Sequence, residues 1–171
     1  GKTMVNGNKL WGEKCVSNMI KKAISDKREI YTYLNIPDSL YHSLQRTAKA
    51  YPDKTAIVDN YGRSYTFGGI MQRTEELAAY LHCDRGIGQR SHVGLMMYNC
   101  VEFCIALLAV SRLGAVAVPL PSKFRKPEVL SLSRKADISL VICDADFAGW
   151  FRGEYTDRQI LAVRQIEKQY G

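Results

Sequence analysis

The sequence predicts an α/β protein: an open, mainly parallel sheet flanked by helices, with a helical extension at its N-terminal end and a helix at its C-terminal end. Three observations carry this expectation. Beyond His92, short apolar runs at residues 92–97, 115–120 and 139–143 alternate with helical segments. Those runs are continuously apolar rather than alternating, as parallel strands covered on both faces must be. Residues 101–113 form a helix that is apolar on nearly every side, so it belongs inside. Crossovers in such sheets are right-handed, which sets strands 93–97, 116–119 and 139–142 side by side or nearly so.

Each element has its own signal. In residues 11–34, Cys15, Met19, Ala23 and Ile24, with Val16 and Ile20, recur at helical spacing among lysines, which predicts an amphipathic helix. Asn35, Ile36 and Pro37 end it, because proline cannot continue a helix. A second helix starts at Asp38 or Ser39, both good caps, with Leu40, Leu44 and Ala48 on one stripe up to Tyr51 and Pro52. Residues 55–59 and 63–66 read as strands joined across Asn60, Tyr61 and Gly62, a hairpin. Thr66 caps a third helix with the stripe Ile70, Thr74, Leu77, Ala78 and Leu81, which ends at the turn of residues 86–88. Residues 127–136 form the helix before the strand at 139–143. At the end, Thr156 and Gln159 have capping-box spacing, and Ile160, Val163, Ile166 and Tyr170 suggest one helical stripe. The expected organisation is therefore a helical extension over residues 1–36, an α/β unit over 37–146, and a tail with an amphipathic helix over 147–171.

At 171 residues the chain supports one substantial core. No apolar run reaches the roughly 18 residues that cross a bilayer, and residues 1–12 lack a secretory signal pattern, so a cytoplasmic location is expected. Five scattered cysteines (Cys15, Cys83, Cys100, Cys104 and Cys143) suit reduced, packed thiols better than a disulfide framework. The formal charge of +7 asks for an acidic partner without naming one. It is concentrated in residues 1–36, where seven lysines and arginines face three acids, and in the group Lys123, Arg125, Lys126, Arg134 and Lys135. Nucleic acid is not expected, because the basic clusters lack interleaved aromatic residues and match no reading helix.

Several chemical motifs are incomplete. Gly86-Ile87-Gly88 runs from a helix into a strand, the reverse of a phosphate-binding turn, and a P-loop sequence is missing. His42, His82 and His92 have no cysteine or acidic neighbours at ligand spacing, and Cys100 with Cys104 on one helix face is too few ligands for a metal. Cys83 beside His82 points elsewhere on its helix and has no orienting third group. No catalytic residue is therefore assigned.

One set of segments does fit a family. Tyr51-Pro52-Asp53-Lys54-Thr55-Ala56-Ile57, then Tyr65-Thr66-Phe67 and Leu77-Ala78-Ala79-Tyr80-Leu81, follow an opening in which "P-D-K-x-A" precedes "T-Y-x-E-L" and "A-x-x-L". Residues 96–103, MMYNCVEF, are like "L-P-N-x-x-E-F", and residues 106–120, ALLAVSRLGAVAVPL, are like "A-x-L-A-x-x-x-x-G-A-V-x-V-P-L". In this order and spacing, residues 38–146 resemble the N-terminal subdomain of an AMP-forming acyl-CoA synthetase of the adenylate-forming superfamily. There are departures: Gly69 replaces an acidic residue, Arg90-Ser91 replaces a "G-D" turn, and Tyr98 and Val101 stand where prolines are common.

The resemblance implies a parent enzyme that uses ATP, Mg and CoA to convert a carboxylic acid to an acyl-adenylate and then to an acyl-CoA. The family's ATP-phosphate loop and later motifs are not among these residues, so the chain alone is expected to be inactive and to hold no cofactor. Lys123 occupies a loop position that some CoA ligases use against the CoA nucleotide phosphates, with Arg125 and Lys126 beside it. The alternative is a non-catalytic interaction module that keeps the fold, supported by the separately capped terminal helix.

Overall fold

The computed structural model describes residues 38–163 apart from Asn60, Asn99 and Cys100, with side chains from Tyr41 onward. The helix expected over residues 11–34 lies outside the described residues, as do Ile166 and Tyr170.

Helix α1 (Asp38–Ala50) leads into strands β1 (Thr55–Val58) and β2 (Ser64–Thr66), an antiparallel hairpin with an irregularity between Thr55 and Ile57. Helix α2 (Phe67–Arg85) starts at Thr66, whose hydroxyl accepts the Gly69 N–H, and ends at Gly86. Gly86 has φ 70°, the left-handed conformation that closes a helix at little cost only for glycine. Then follow β3 (His92–Met96), α3 (Val101–Arg112), β4 (Val116–Pro119), α4 (Lys126–Lys135) and β5 (Leu140–Asp144). A short turn of helix, α5 (Ala148–Phe151), precedes the last strand, β6 (Ile160–Val163). The main sheet has the order β4-β3-β5-β6 and every pair in it is parallel, with Gly94 opposite both Val118 and Val141.

Two cores sit on its two faces. Val93, Leu95, Ala117, Leu140 and Ile142 point to the face covered by α2 and α3, with α1 behind them. Helix α3 buries every residue except Glu102 and Arg112, as its unbroken apolarity requires. Met96, Val118, Val141, Cys143 and Ile160 point to the other face, against Val129 and Leu132 of α4 and Phe151 of α5. Gly94 faces that second core closely. A Cβ there would lie 2.8 Å from Ile138 Cδ1 and 3.1 Å from Leu120 Cδ1.

The expected terminal helix is corrected by the structure. Its capping contact exists, since Gln159 Oε1 accepts the Thr156 N–H at 3.0 Å, but it closes only the single 3-10 turn Asp157–Gln159. Ile160–Val163 then pairs with β5 through Val141↔Ile160 and Asp144↔Val163. Ile160 packs into the second core while Leu161 and Val163 pack against the first. A run that is apolar on both sides suits an interior-type strand, and over four residues a spacing of three cannot be told from a period of two. The sheet thus extends beyond residue 146 into what was expected to be a separate tail.

Candidate functional site

The site follows from how the chain leaves the strands. From β3 it turns to the face of α3, and from β4 it turns to the face of α4, so the two loops diverge. Where connections part to opposite faces, the carboxyl ends of neighbouring strands open a crevice, the usual ligand position in open α/β sheets. A cavity of about 290 Å³ lies there. Its walls are Leu95, Met97, Phe103, Pro119 and Leu120, and its mouth carries Tyr98, Ser122 and Lys123.

Lys123 therefore stands at the rim where the sequence places it, exposed and beside the cavity. Arg125 and Lys126 are exposed too, but they occupy the N-cap and first residue of α4 and do not line the cavity. Arg125 makes no side-chain cap, so the N-terminus of α4, with its partial positive charge, lies next to Arg125 and Lys126, with Pro127 and Glu128 in its first turn.

On the β5 side, Tyr98 donates a long hydrogen bond of 3.5 Å to Asp146, whose own N–H is held by the buried Asp144 at 2.9 Å. Burial and the two carboxylates push the Tyr98 hydroxyl pKa up. Its ring is the first of a half-buried aromatic row, 5.6 Å from Phe147, which is 5.4 Å from Trp150. Below, Arg63 anchors the start of α3 by a two-pronged bond to Glu102 at 2.6 and 2.7 Å. Sequence reasoning missed this group. Its one visible signal was Tyr98 in a place where the resemblance has proline.

The other candidates do not converge. His82 Nδ1 bonds the Ile87 carbonyl at 2.8 Å, His92 Nδ1 bonds the Ala136 carbonyl at 2.6 Å, and His42 lies edge-on to Tyr41. Among the described residues no three metal-ligating side chains come together. Cys104 and Cys143 are packed in the cores. Burial, and after it the Asp144 carboxylate, push the Cys143 thiol up to about 12, which leaves it inert.

A parallel sheet with divergent loops and a crevice at the carboxyl ends of its strands defines an open α/β unit. The AMP-binding enzyme family matches residues 44–169, and the chain belongs to that family. It is 33% identical over 102 residues to the medium-chain fatty-acid–CoA ligase of Escherichia coli (strain K12), covering 60% of this chain and 18% of that protein. It is 27% identical over 123 residues to tyrocidine synthase 1 of Brevibacillus parabrevis, covering 70% of this chain and 11% of that one. Among solved structures, the inhibitor-bound N-terminal domain of FACL13 from Mycobacterium tuberculosis superposes with a TM-score of 0.62 at 26% identity, over 70% of this chain and 32% of that one. The chain thus spans less than a fifth of the length of either curated relative.

Proposed function

We propose that this chain is the N-terminal α/β subdomain of an ATP-dependent, AMP-forming acid:CoA ligase. In the complete enzyme a carboxylate oxygen attacks the α-phosphorus of ATP, with pyrophosphate leaving. The CoA thiol then attacks the acyl carbon and AMP leaves. The observation that carries the reading is the family match over residues 44–169, with acyl-CoA ligases among the relatives. The likeness to a medium-chain fatty-acid ligase supports an aliphatic acid. Peptide synthetases among the relatives support a second acceptor, a thiol held on a carrier protein.

Within that enzyme the role we assign to Lys123, Arg125 and Lys126 is to hold the nucleotide phosphates of CoA. Each exposed cation contributes a modest, salt-screened attraction, and several converging on one polyphosphate act together. In the full ligase, Lys123→Ala is expected to raise the Michaelis constant for CoA by roughly threefold to tenfold, the size of one charged contact at a rim. The adenylation half-reaction, followed by pyrophosphate exchange into ATP, stays unchanged. An unaltered Michaelis constant at low salt would falsify the assignment.

The chain by itself is proposed to form no acyl-adenylate, since stabilising a transferring phosphoryl group needs fixed donors around it. Acid-dependent pyrophosphate exchange by the purified chain would contradict that. The interaction-module alternative rested on the separately capped terminal helix. With residues 157–163 forming a turn and a strand of the sheet, that support is gone.

A further inference from the structure

We propose that Tyr98 selects a nucleotide for the carboxyl-end crevice: the face of its ring takes the base, while Lys123 across the mouth takes the phosphates. Both side chains line the same cavity of about 290 Å³, Tyr98 from beyond the end of β3 and Lys123 from beyond the end of β4. The surface between them, from Leu95, Met97, Phe103, Pro119 and Leu120, carries no charge. An apolar slot with a cation at one edge suits a ligand that is flat and neutral at one end and anionic at the other. The volume is near the lower limit of ligand pockets, about 300 Å³, so the slot admits one ring system rather than a whole cofactor.

The Tyr98 ring is braced for this. Phe147 packs on it at 5.6 Å from the β5 side without lining the cavity, and Trp150 backs Phe147 at 5.4 Å. A ring fixed by its neighbours loses little freedom when a base stacks on it, and every base has a π-face to offer. The surrounding charges set the direction of the ligand. Asp146 lies beyond the Tyr98 hydroxyl at 3.5 Å and its N–H is held by Asp144, so phosphates are repelled from the β5 side and drawn toward Lys123. Burial and those carboxylates also keep the phenol neutral, so the ring adds no negative charge of its own. The family resemblance has proline here, which offers no aromatic face, so the stack is argued for this chain from its own tyrosine. The inference rests on the ligase reading only for the source of the nucleotide, which that reading makes CoA.

The experiment titrates the full chain at low salt with adenosine 3′,5′-bisphosphate and follows the Tyr98 ring and the Leu95 and Leu120 methyl groups by NMR. Saturable shifts of all three are expected, with the base protons of the ligand moved upfield by the ring, a readout that needs no variant. Tyr98→Leu keeps an apolar wall and removes the aromatic face, and is expected to weaken binding roughly tenfold, the size of one base stack. Tyr98→Phe is expected to bind as the wild type does. Inorganic pyrophosphate, which has no base, is expected to bind all three proteins alike. Circular dichroism verifies that the variants fold. Absence of saturable shifts, or equal affinity of the wild type and Tyr98→Leu for the bisphosphate, overturns the proposal. ATP is the second arm: tighter binding than the bisphosphate, with the same dependence on Tyr98, overturns CoA as the source. The ligase reading is judged apart from this, by pyrophosphate exchange in the complete enzyme. Exchange missing there, with Tyr98-dependent binding here, sinks that reading and leaves the stacking role standing.

Discussion

Arg63 divides its guanidinium between two carboxylates from different elements. Its Nε donates to Asp59 at 2.8 Å within the hairpin, and its two terminal nitrogens grip Glu102 at the start of α3. Both partners raise its pKa further above an already high value. A lysine offers one point charge in place of this fork, so Arg63→Lys is expected to lower stability by about 1–2 kcal/mol, read from the urea midpoint. Asp59 adds a pH dependence. Burial alone pushes its carboxyl up, but bonds from the Arg63 backbone and side chain and from the Tyr61 N–H outweigh that, leaving its pKa below the usual range. A depressed folded value means a contribution fully present above the unfolded carboxylate pKa of about 3.9, and lost as pH falls through the folded value. Asp59→Asn should therefore flatten the decline of stability below about pH 4, as followed by thermal melts. Arg90 sits at φ 65° in the turn before β3, where the family resemblance has glycine. Left-handed backbone costs a non-glycine residue about 1 kcal/mol, so Arg90→Gly is expected to raise the melting temperature by a few degrees.

At the scale of elements, the most consequential contact is the one at the entry to β6. Arg85, in the last turn of α2, donates to the carbonyls of Arg158 and Ile160 at 3.0 Å each, and its Nε reaches the Tyr80 hydroxyl at 3.1 Å. It holds the turn that feeds an edge strand only four residues long. Arg85→Ala is expected to speed amide exchange in residues 160–163 roughly tenfold while β3 and β5 stay protected, a local opening rather than global unfolding. No change in exchange at β6 would show that pairing with β5 alone fixes the strand. This element is also where the sequence misled. The elements from α2 to β5 were legible because each carried a long period, a cap or a bounded apolar run. Ile160 and Val163 were too few to distinguish helix from strand, and the choice was made by an open edge on β5. The rim was legible as a loop after a strand, which placed Lys123. The cavity beside it was not, because it depends on α3 and α4 lying on opposite faces. Nor was the Tyr98–Asp146 pair, since it joins residues 48 apart that meet only once β5 lies next to β3.

At the scale of the whole molecule, the two cores share one sheet. Successive residues of β3 and β5 alternate between them, with Leu95 and Ile142 in one and Met96 and Cys143 in the other. Neither core can be lost while those strands keep their pairing, so the described unit is expected to unfold as one cooperative transition. Two substitutions test this from opposite sides. Leu81 of α2 is fully buried against the first core, and Phe151 of α5 is fully buried in the second. Leu81→Ala is expected to cost about 2–5 kcal/mol and Phe151→Ala about 3–5, through lost burial and the cavity left behind. Trp150 neighbours the second core, so in a Trp11→Phe background its fluorescence reports that face, whereas far-ultraviolet circular dichroism reports helices on both. If the sheet couples the faces, each variant shifts both signals to the same lower urea midpoint, and amides of β3 and β5 lose protection together. Should Phe151→Ala shift fluorescence alone, with the dichroism midpoint unmoved, the α5 face would be a separable unit. The central strands would then owe their order to α2 and α3 only.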